Sequence, residues 1–528
     1  MNYTPPLHSS EHWQLTKPAA TGRRGVVVAQ AKAAAEAGVA ILEAGGNAID
    51  AAVGAAFALA TVEPWNSGLG GIGFTLVHRA GQPTAEVVDF GPVAPRNLSP
   101  ENFKLTGRMS PDLFRWAEVE GDANIHGPLS GAIPSSVAGY HKLHDSWGRL
   151  PLAEIMAPAV ALAKRGLPAD WVTTMKIALS ASVLRQYPES TRIYLPNGLP
   201  PIPPYQGEPG FFRQGRLPDT LERLQRAGLR DFYEGDIARM LVQDMREVGG
   251  VVDATDLADC QARILPATQI PWRNGRTLQL ATGLTAAPTL TAVLARMREA
   301  TYGTAPDAAW YATLATELKS AYADRLAGLG ADGGVDEPDE SDTCTTHLTV
   351  CDSDGTMVAM TTTLMSSMGS RVVLPSTGVL LNNGIMWFDP RPNQANSIAP
   401  GKRPLCNMCP IILLQNGQPI LAGGASGGRR IMAAVFQLMS YIADFGMDPQ
   451  TAAHHPRIDV SSAEDITADR RLGEAVIAAL RDCGPVSVVA HGVMPINFAC
   501  PNVIVQNPDG TRTGVSDALS PWSAAVAQ

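Results

Sequence analysis

The sequence predicts a mixed α/β protein in which stacked β-sheets are covered by helices. Two observations lead to this prediction. Segments with the 3.6-residue spacing of helices dominate the chain from residue 134 to about residue 298. Short, alternating β-rich segments begin at residue 345. Because both halves contain strands as well as helices, and each element must bury an apolar face, a layered sandwich is the expected architecture.

Two helical segments and a glycine-rich loop open the chain. Residues 31–42 are alanine-rich with helical spacing, and Asn47 is placed to cap a second helix over 48–62. That helix is apolar almost all round, so we expect it to be buried. The loop 68–73, GLGGIG, leads from helix into a predicted strand, whereas phosphate-binding loops lead from strand into helix. We therefore interpret the loop as a close backbone approach within the core.

The other predicted elements follow from periodicity and turn residues. Helices are predicted over 152–164, 217–227, 236–248, 289–298, 308–326, 429–443 and 472–481. An SDG turn at 353–355 joins strands over 345–351 and 356–363 into a hairpin. Further strands are predicted at 74–78, 85–90, 378–381, 411–414, 420–423, 486–489 and 502–505.

Length and composition describe a large globular chain. Its 528 residues are 45% hydrophobic and 17% charged, which is typical of a folded protein. A net charge of −9 argues against nucleic acid as a partner. The seven cysteines fit reduced thiols. Residues 1–30 show no apolar signal segment and nothing spans a membrane, so we predict a cytoplasmic protein.

Thr345 stands where an acidic, glycine-rich run ends and a strand begins. A threonine hydroxyl becomes a good nucleophile when a base lies beside it, and the α-amine of an N-terminal threonine is such a base. An internal threonine gains that amine only if the preceding peptide bond is cut. The position therefore suggests a self-cleaving precursor, although threonine at the start of a strand is also an ordinary β-former.

Motifs spread over nearly the whole chain resemble the γ-glutamyltranspeptidase family. They are residues 45–52 (GGNAIDAA), 68–74 (GLGGIGF), 345–350 (TTHLTV), 378–383 (GVLLNN), 400–404 (PGKRP) and 424–428 (GASGG). The resemblance implies the four-layer αββα fold of N-terminal-nucleophile hydrolases, built by both halves. It also implies cleavage into a large subunit, 1–344, and a small subunit, 345–528, with no cofactor or metal.

The resemblance assigns four catalytic positions. Thr345 is the nucleophile, and Thr363 matches the threonine that orients it; the run of threonines at 361–363 leaves a one-residue ambiguity. Gly427 and Gly428 precede a helix and match the oxyanion hole, where backbone N–H groups approach an acyl oxygen. An ordinary glycine-containing helix start is the alternative for this pair.

Several substrate positions depart from the family pattern. The arginine that binds a carboxylate in the family is Gly91 here, and Arg96 in the same loop is the candidate to replace it. The acidic residue that holds the α-amino group falls on Trp387, and Met365 stands where asparagine is expected. Asp389 could substitute only if its loop shifts. Asn383 and the pair Cys406 and Asn407, which replaces two serines, complete the predicted substrate wall.

Metal binding is the weaker interpretation of two further motifs. Cys406 and Cys409 form one C-x-x-C without a second pair, and His454-His455 has no carboxylate at helical ligand spacing. We interpret these residues as buried thiols and structural histidines.

The resulting hypothesis is an N-terminal-threonine amidohydrolase that releases its acyl group to water or, less readily, to an amine. Because Trp387 and Met365 cannot neutralise a buried ammonium, the expected acyl group lacks an α-amino group and carries a carboxylate, as in oxamate-type, dicarboxylic monoamide or acylase-type substrates. The alternatives are a true γ-glutamyltransferase (glutathione hydrolase) with a rearranged site, and an uncleaved, inactive homologue that only binds ligand. Whether two heterodimers pair into a homodimer stays open.

Overall fold

Two antiparallel sheets of seven strands each form the centre of the molecule. The computed structural model describes residues 16–110, 116–300, 303–329, 343–461, 465–493, 496–518 and 520–528. Two segments discussed above lie partly outside the described residues. They are the acidic, glycine-rich run before Thr345, of which 330–342 is not described, and the N-terminal segment 1–30, of which 1–15 is not described.

The strands, in chain order, are β1 (Ala20–Gly22), β2 (Gly25–Ala29), β3 (Ile72–His78), β4 (Glu86–Phe90), β5 (Leu105–Met109), β6 (Ala117–Val119), β7 (Leu167–Pro168), β8 (Phe211–Phe212), β9 (Arg263–Pro266), β10 (Thr268–Trp272), β11 (Arg276–Leu280), β12 (Thr343–Asp352), β13 (Met357–Ser366), β14 (Val373–Leu374), β15 (Val379–Leu380), β16 (Ile411–Gln415), β17 (Gln418–Ser426), β18 (Ile458–Asp459), β19 (Ile466–Asp469), β20 (Val486–Val489), β21 (Cys500–Gln506), β22 (Arg512–Ser516) and β23 (Ala524–Ala527).

The α-helices, in chain order, are α1 (Lys32–Glu43), α2 (Ala48–Val62), α3 (Ser136–Trp147), α4 (Leu152–Arg165), α5 (Trp171–Leu184), α6 (Pro188–Tyr194), α7 (Leu217–Ala227), α8 (Asp231–Glu234), α9 (Asp236–Val248), α10 (Ala254–Ala258), α11 (Ala287–Arg298), α12 (Ala308–Leu329), α13 (Ile431–Ala443), α14 (Pro449–His454) and α15 (Glu474–Arg481).

Both sheets mix strands from the two halves of the chain. One sheet has the order β23-β2-β12-β13-β3-β4-β9, and the other has the order β1-β22-β21-β17-β16-β11-β10. The hairpin of β12 and β13 lies at the centre of the first sheet and packs against β17 and β21 of the second. Since neither half contains a complete sheet, the core forms only when both are present.

The apolar clusters show four layers. One cluster fills the space between the sheets, with Val26 and Phe74 from the first sheet against Ile412 and Ile504 from the second. A second cluster joins the outer face of the first sheet to helices that include α1, α2 and α4. A third joins the outer face of the second sheet to α11, α12 and α13. The αββα sandwich predicted from the sequence is confirmed.

The helix over 48–62 has the predicted bounds and environment. All 15 of its residues are buried. The Asn47 side chain accepts hydrogen bonds from the backbone N–H groups of Ile49 and Asp50, and the Asp50 carboxylate accepts from the N–H of Asn47. This reciprocal capping satisfies the backbone donors of the first turn, so the buried start of the helix carries no orphaned amide at these positions.

Fourteen of the 23 strands in the described residues were absent from the sequence prediction, including β2, β9, β10 and β11. β9, β10 and β11 lie in the region that periodicity assigned to helices, and β2 precedes α1. β10 alternates exposed and half-buried positions at the edge of its sheet, and Pro271 interrupts its β-like composition. Such an edge strand shows little apolar alternation. None of the helices in the described residues combines the length and the apolar character that crossing a bilayer requires.

Candidate active site

Thr345 occupies an irregularity in the central hairpin. Cys344 pairs with Met365 and Thr346 pairs with Thr362, so two residues of β13 lie between these pairs opposite the single residue Thr345. Such local departures from regular pairing re-aim side chains and occur often beside active sites. Thr345 is 5% exposed, and its side chain is therefore held inside the protein at the end of a central strand.

Two hydrogen bonds link the Thr345 hydroxyl to the peptide bond that precedes it. Thr345 Oγ1 and Thr363 Oγ1 are 3.1 Å apart, and Thr363 Oγ1 donates to the carbonyl oxygen of Cys344 at 2.8 Å. Because a hydroxyl has one proton, Thr345 is the donor in the first bond. The backbone N–H of Met365, a residue with φ of +88°, also donates to Thr363 Oγ1 at 2.8 Å.

The three consecutive threonines of β13 have separate partners. Thr361 Oγ1 lies 2.8 Å from Nδ1 of the buried His347, on the inner face of the sheet. Thr362 points to the helical layer, 3.3 Å from the hydroxyls of Ser136 and Tyr140. The structure brings Thr363 of these three to Thr345, as the resemblance implies.

Gly427 and Gly428 form the turn between β17 and the helix region that leads into α13. Their φ values are +129° and +60°, in the region that favours glycine. A Cβ atom on Gly427 would lie 2.7 Å from the Cα of Ala499. Gly427 lines the same cavity as Thr345, so the structure brings together the predicted nucleophile and one of the predicted oxyanion glycines.

This cavity is called the Thr345 cavity below. Aromatic and aliphatic side chains form much of its wall, and the ring centroids of Trp65 and Trp522 are 5.2 Å apart. The described lining residues are Gln30, Glu63, Trp65, Asn66, Val172, Met175, Lys176, Cys344, Thr345, Ser426, Gly427, Val493, Ile496, Phe498, Cys500, Ser520, Pro521 and Trp522.

Glu63 is a buried carboxyl group in the wall of the Thr345 cavity that the sequence analysis missed. Its Oε2 accepts from the hydroxyl of Thr346 at 2.8 Å, and its Oε1 accepts from Asn66 Nδ2 at 2.6 Å. Burial raises the pKa of Glu63 to about 7, although the Thr346 hydroxyl, the Lys176 charge and the Asn66 amide oppose that rise. The signal in the sequence was an acidic residue directly after 12 apolar or small residues, 51–62.

Glu63 should make the folded protein less stable as the pH rises. The folded chain keeps a proton that the unfolded chain releases near pH 4.5, so stability falls between about pH 4.5 and pH 7. The shift corresponds to about 3 kcal/mol as an upper bound. The test compares Thr345→Ala, which lacks the hydroxyl of the predicted nucleophile, with the double variant Thr345→Ala/Glu63→Gln. Between pH 5 and pH 8 the thermal midpoint of unfolding should fall less in the double variant.

The comparison with Glu63→Gln isolates this carboxyl group from other titrations. Burial also lowers the pKa of His347 to about 3, but that group reduces stability as the pH falls below 6.5. Its contribution is common to both proteins and has the opposite sign. Equal pH dependence of the two thermal midpoints would show that Glu63 does not titrate as described.

The region where the family pattern places the α-amino group is filled by apolar side chains. Met365 and Trp387 are 3% and 4% exposed, and both belong to the cluster between the sheets with Ile72, Phe74 and Cys406. The Asp389 carboxylate is already paired, because both of its oxygens accept from the side chain of Arg391. A desolvated ammonium would find no anion among these side chains.

Arg96 lies outside the Thr345 cavity. Its half-exposed guanidinium pairs with Asp259 and lies 4.0 Å from Asp256. It lines a second cavity, and the described linings of the two cavities share no residue. The loop holds glycine at position 91 because a Cβ atom there would lie 2.4 Å from the Phe74 ring. The structure therefore does not bring Arg96 to Thr345.

Three other predicted substrate residues have structural partners. Asn383 Oδ1 accepts from the Ser366 N–H, and its Nδ2 donates to the carbonyl of Ile125. Arg325 donates to the carbonyl of Cys406 at 2.8 Å and to Asn407 Oδ1 at 3.0 Å. None of Asn383, Trp387, Cys406 and Asn407 is among the described lining residues of the Thr345 cavity.

The two candidate metal motifs are also accounted for by packing. Cys406 and Cys409 are buried, which raises the pKa of each thiol to about 12, so neither is poised to become a thiolate ligand. His454 Nε2 accepts from the backbone N–H of Lys17, and the ring of His455 packs against Tyr441. In the part of the chain that the structure describes, no group of three or more His, Cys, Asp or Glu residues could hold a metal ion.

Comparisons with known proteins cover almost the whole chain. A family model described as gamma-glutamyltranspeptidase matches residues 34–338 and 331–527. The acylase ACY 1 proenzyme of Pseudomonas sp. (strain SE83) is 30% identical over 98% of this chain and 96% of its own length. The glutathione hydrolase proenzyme of Bacillus subtilis (strain 168) is 27% identical over 97% and 92%.

A solved structure shares the fold over the full length of the chain. The cephalosporin acylase from Bacillus halodurans superposes with a TM-score of 0.83 at 23% sequence identity, covering 100% of this chain and 99% of that chain. At this identity the likeness concerns the fold.

Proposed function

The chain belongs to the γ-glutamyltranspeptidase family and is an amidohydrolase of that general type, and from this premise we propose that it cleaves itself before Thr345 and then hydrolyses amides through an acyl-enzyme on that residue. The products of self-cleavage are a large subunit, 1–344, and a small subunit, 345–528. The relatives described as proenzymes support such processing.

The observation that carries this proposal is the hydroxyl relay from Thr345 through Thr363 to the carbonyl of Cys344. Attack of Thr345 Oγ1 on that carbonyl carbon forms a C–O bond and places negative charge on the oxygen that already accepts from Thr363. Such a donor stabilises the developing oxyanion. Collapse breaks the C–N bond, and the nitrogen takes the proton that the Thr345 hydroxyl loses, which frees the Thr345 amine and leaves an ester between Cys344 and Thr345 Oγ1. Water then hydrolyses this ester to the Cys344 carboxylate and the free Thr345 hydroxyl.

The freed amine completes the mature site. It serves as the base for its own hydroxyl, directly or through water. The substrate carbonyl would occupy the Thr345 cavity, where the N–H groups of Gly427 and Gly428 serve as oxyanion donors. Thr345 then carries the acyl group while the amine product leaves, and water releases the acid.

The apolar filling around Trp387 and Met365 supports a substrate without an α-amino group. Oxamate-type, ω-carboxyacyl and other acylase-type amides meet this condition, and the acylase named above supports that class. The name of the B. subtilis relative suggests a glutathione-hydrolase activity. That activity needs an anion in the site to pair with the α-ammonium group of the γ-glutamyl substrate. The other alternative is a protein that only binds ligand. In that case the hydroxyl relay at Thr345 would catalyse neither self-cleavage nor amide hydrolysis.

Paired p-nitroanilides test the substrate assignment. We expect a higher kcat/KM for glutaryl-p-nitroanilide than for γ-glutamyl-p-nitroanilide, which differs by the α-amino group, because burying an unpaired ammonium costs several kcal/mol. Trp387→Asp should selectively improve the γ-glutamyl substrate, and Trp387→Phe is the matched control. A wild-type preference for the γ-glutamyl compound would show that the amine site has been rebuilt elsewhere.

A further inference from the structure

Lys176 places a positive charge in the wall of the Thr345 cavity. It lies on α5 beside Val172 and Met175, which line the cavity with it. Among the described lining residues, the charged side chains are Lys176 and Glu63. Whether the cavity favours anionic or cationic ligands therefore depends on the charges of these two side chains.

Glu63 is committed to the protein rather than to a ligand. Its two carboxyl oxygens accept from Thr346 and Asn66, and the residue is 3% exposed. Because burial raises the pKa of Glu63 to about 7, its negative charge is incomplete at neutral pH. Glu63 consequently offsets only part of the positive potential that Lys176 brings to the cavity.

The rest of the wall suits a short hydrocarbon chain. Trp65, Trp522 and Phe498 present rings, and Val172 and Met175 present aliphatic groups on the same helix as the ammonium. A ligand that extends from Thr345 along these groups would keep its methylene carbons out of water. A carboxylate beyond the methylenes would then meet Lys176, whereas Arg96 lines the other cavity.

We propose that Lys176 is a specificity-determining residue, whose ammonium group pairs with a carboxylate at the far end of the acyl chain. The preferred substrates are then ω-carboxyacyl amides, with the reacting carbonyl at Thr345 and the second carboxylate at α5. This assignment rests on the proposed function of the Thr345 cavity, and it replaces Arg96 as the group that recognises the carboxylate.

The kinetic test uses two substrates that differ by the distal carboxylate, glutaryl-p-nitroanilide and valeryl-p-nitroanilide. Lys176→Met should lower kcat/KM for the glutaryl compound by about 10- to 100-fold, mainly through KM, because a charge pair is lost. The valeryl compound should change less than about threefold, and Lys176→Arg should keep most of the preference. Lys164→Met is the matched control, because Lys164 lies on α4 and forms an exposed ion pair with Glu222. Equal losses for both substrates would overturn the assignment.

A binding measurement separates this inference from the proposed function. Isothermal calorimetry compares glutarate with valerate on the cleaved wild type and on cleaved Lys176→Met. Tighter binding of glutarate that disappears with Lys176 supports the assignment even if neither anilide is hydrolysed, a result that would count against the proposed function alone. Failure of the wild type to prefer glutarate, or an unchanged preference in Lys176→Met, would overturn the role of Lys176.

Discussion

Replacing Thr363 by valine should slow cleavage of the Cys344–Thr345 bond by about 100-fold or more. Valine keeps the shape of threonine but removes the hydroxyl that accepts from Thr345 and donates to the carbonyl of Cys344. Loss of one donor to a developing oxyanion typically costs about 10²–10³ in rate. The rate is measured on a denaturing gel as the fraction of intact chain over time after purification.

Thr363→Ser is the control, since it restores the hydroxyl and should cleave at a rate close to the wild type. Valine also leaves the N–H of Met365 without its acceptor, at a cost of about 1–3 kcal/mol, so circular dichroism at the assay temperature must show both variants folded. Rapid cleavage by folded Thr363→Val would show that the relay plays no part in the reaction.

Replacing Gly428 by valine should lower kcat for amide hydrolysis by about 10²–10³-fold, with a smaller effect on KM. The glycine has a φ of +60°, which a β-branched residue adopts only with strain. A valine there would turn the backbone N–H away from the acyl oxygen. Turnover is measured on the cleaved fraction, so that slower processing does not count as slower catalysis.

Gly446→Val is the matched control for this experiment. Gly446 has a similar φ of +68°, and a Cβ atom there would meet open space, so the variant tests the effect of backbone strain away from the cavity. It should keep nearly full kcat per folded molecule. Full activity in Gly428→Val would remove the oxyanion assignment.

Local signals in the sequence predicted nine of the 15 helices in the described residues, and both ends of three of them. α2, α7 and α9 begin and end at the predicted residues. Asn47 caps the first of these and Pro64 follows it, while α7 and α9 end before Gly228 and Gly249, both with positive φ. Caps, prolines and glycines act within a few residues, so such boundaries can be predicted without the tertiary structure.

The arrangement of the site depended on contacts between distant parts of the chain. Arg96 was proposed from its place in a loop, but the partners that hold it, Asp256 and Asp259, are more than 150 residues away. Glu63, directly after α2, and Lys176, on α5, both line the Thr345 cavity, and no sequence motif marks either residue. Burial and long-range pairing, which decide both cases, cannot be inferred from spacing alone.

Self-cleavage between Cys344 and Thr345 underlies every role proposed here for Thr345. Its test is intact-mass spectrometry of the purified wild-type protein, with N-terminal sequencing of the smaller fragment. We expect two fragments corresponding to 1–344 and 345–528, the smaller beginning with Thr345, and a single intact chain for Thr345→Ala. A wild-type chain that stays whole after long incubation, or a smaller fragment with another first residue, would contradict it.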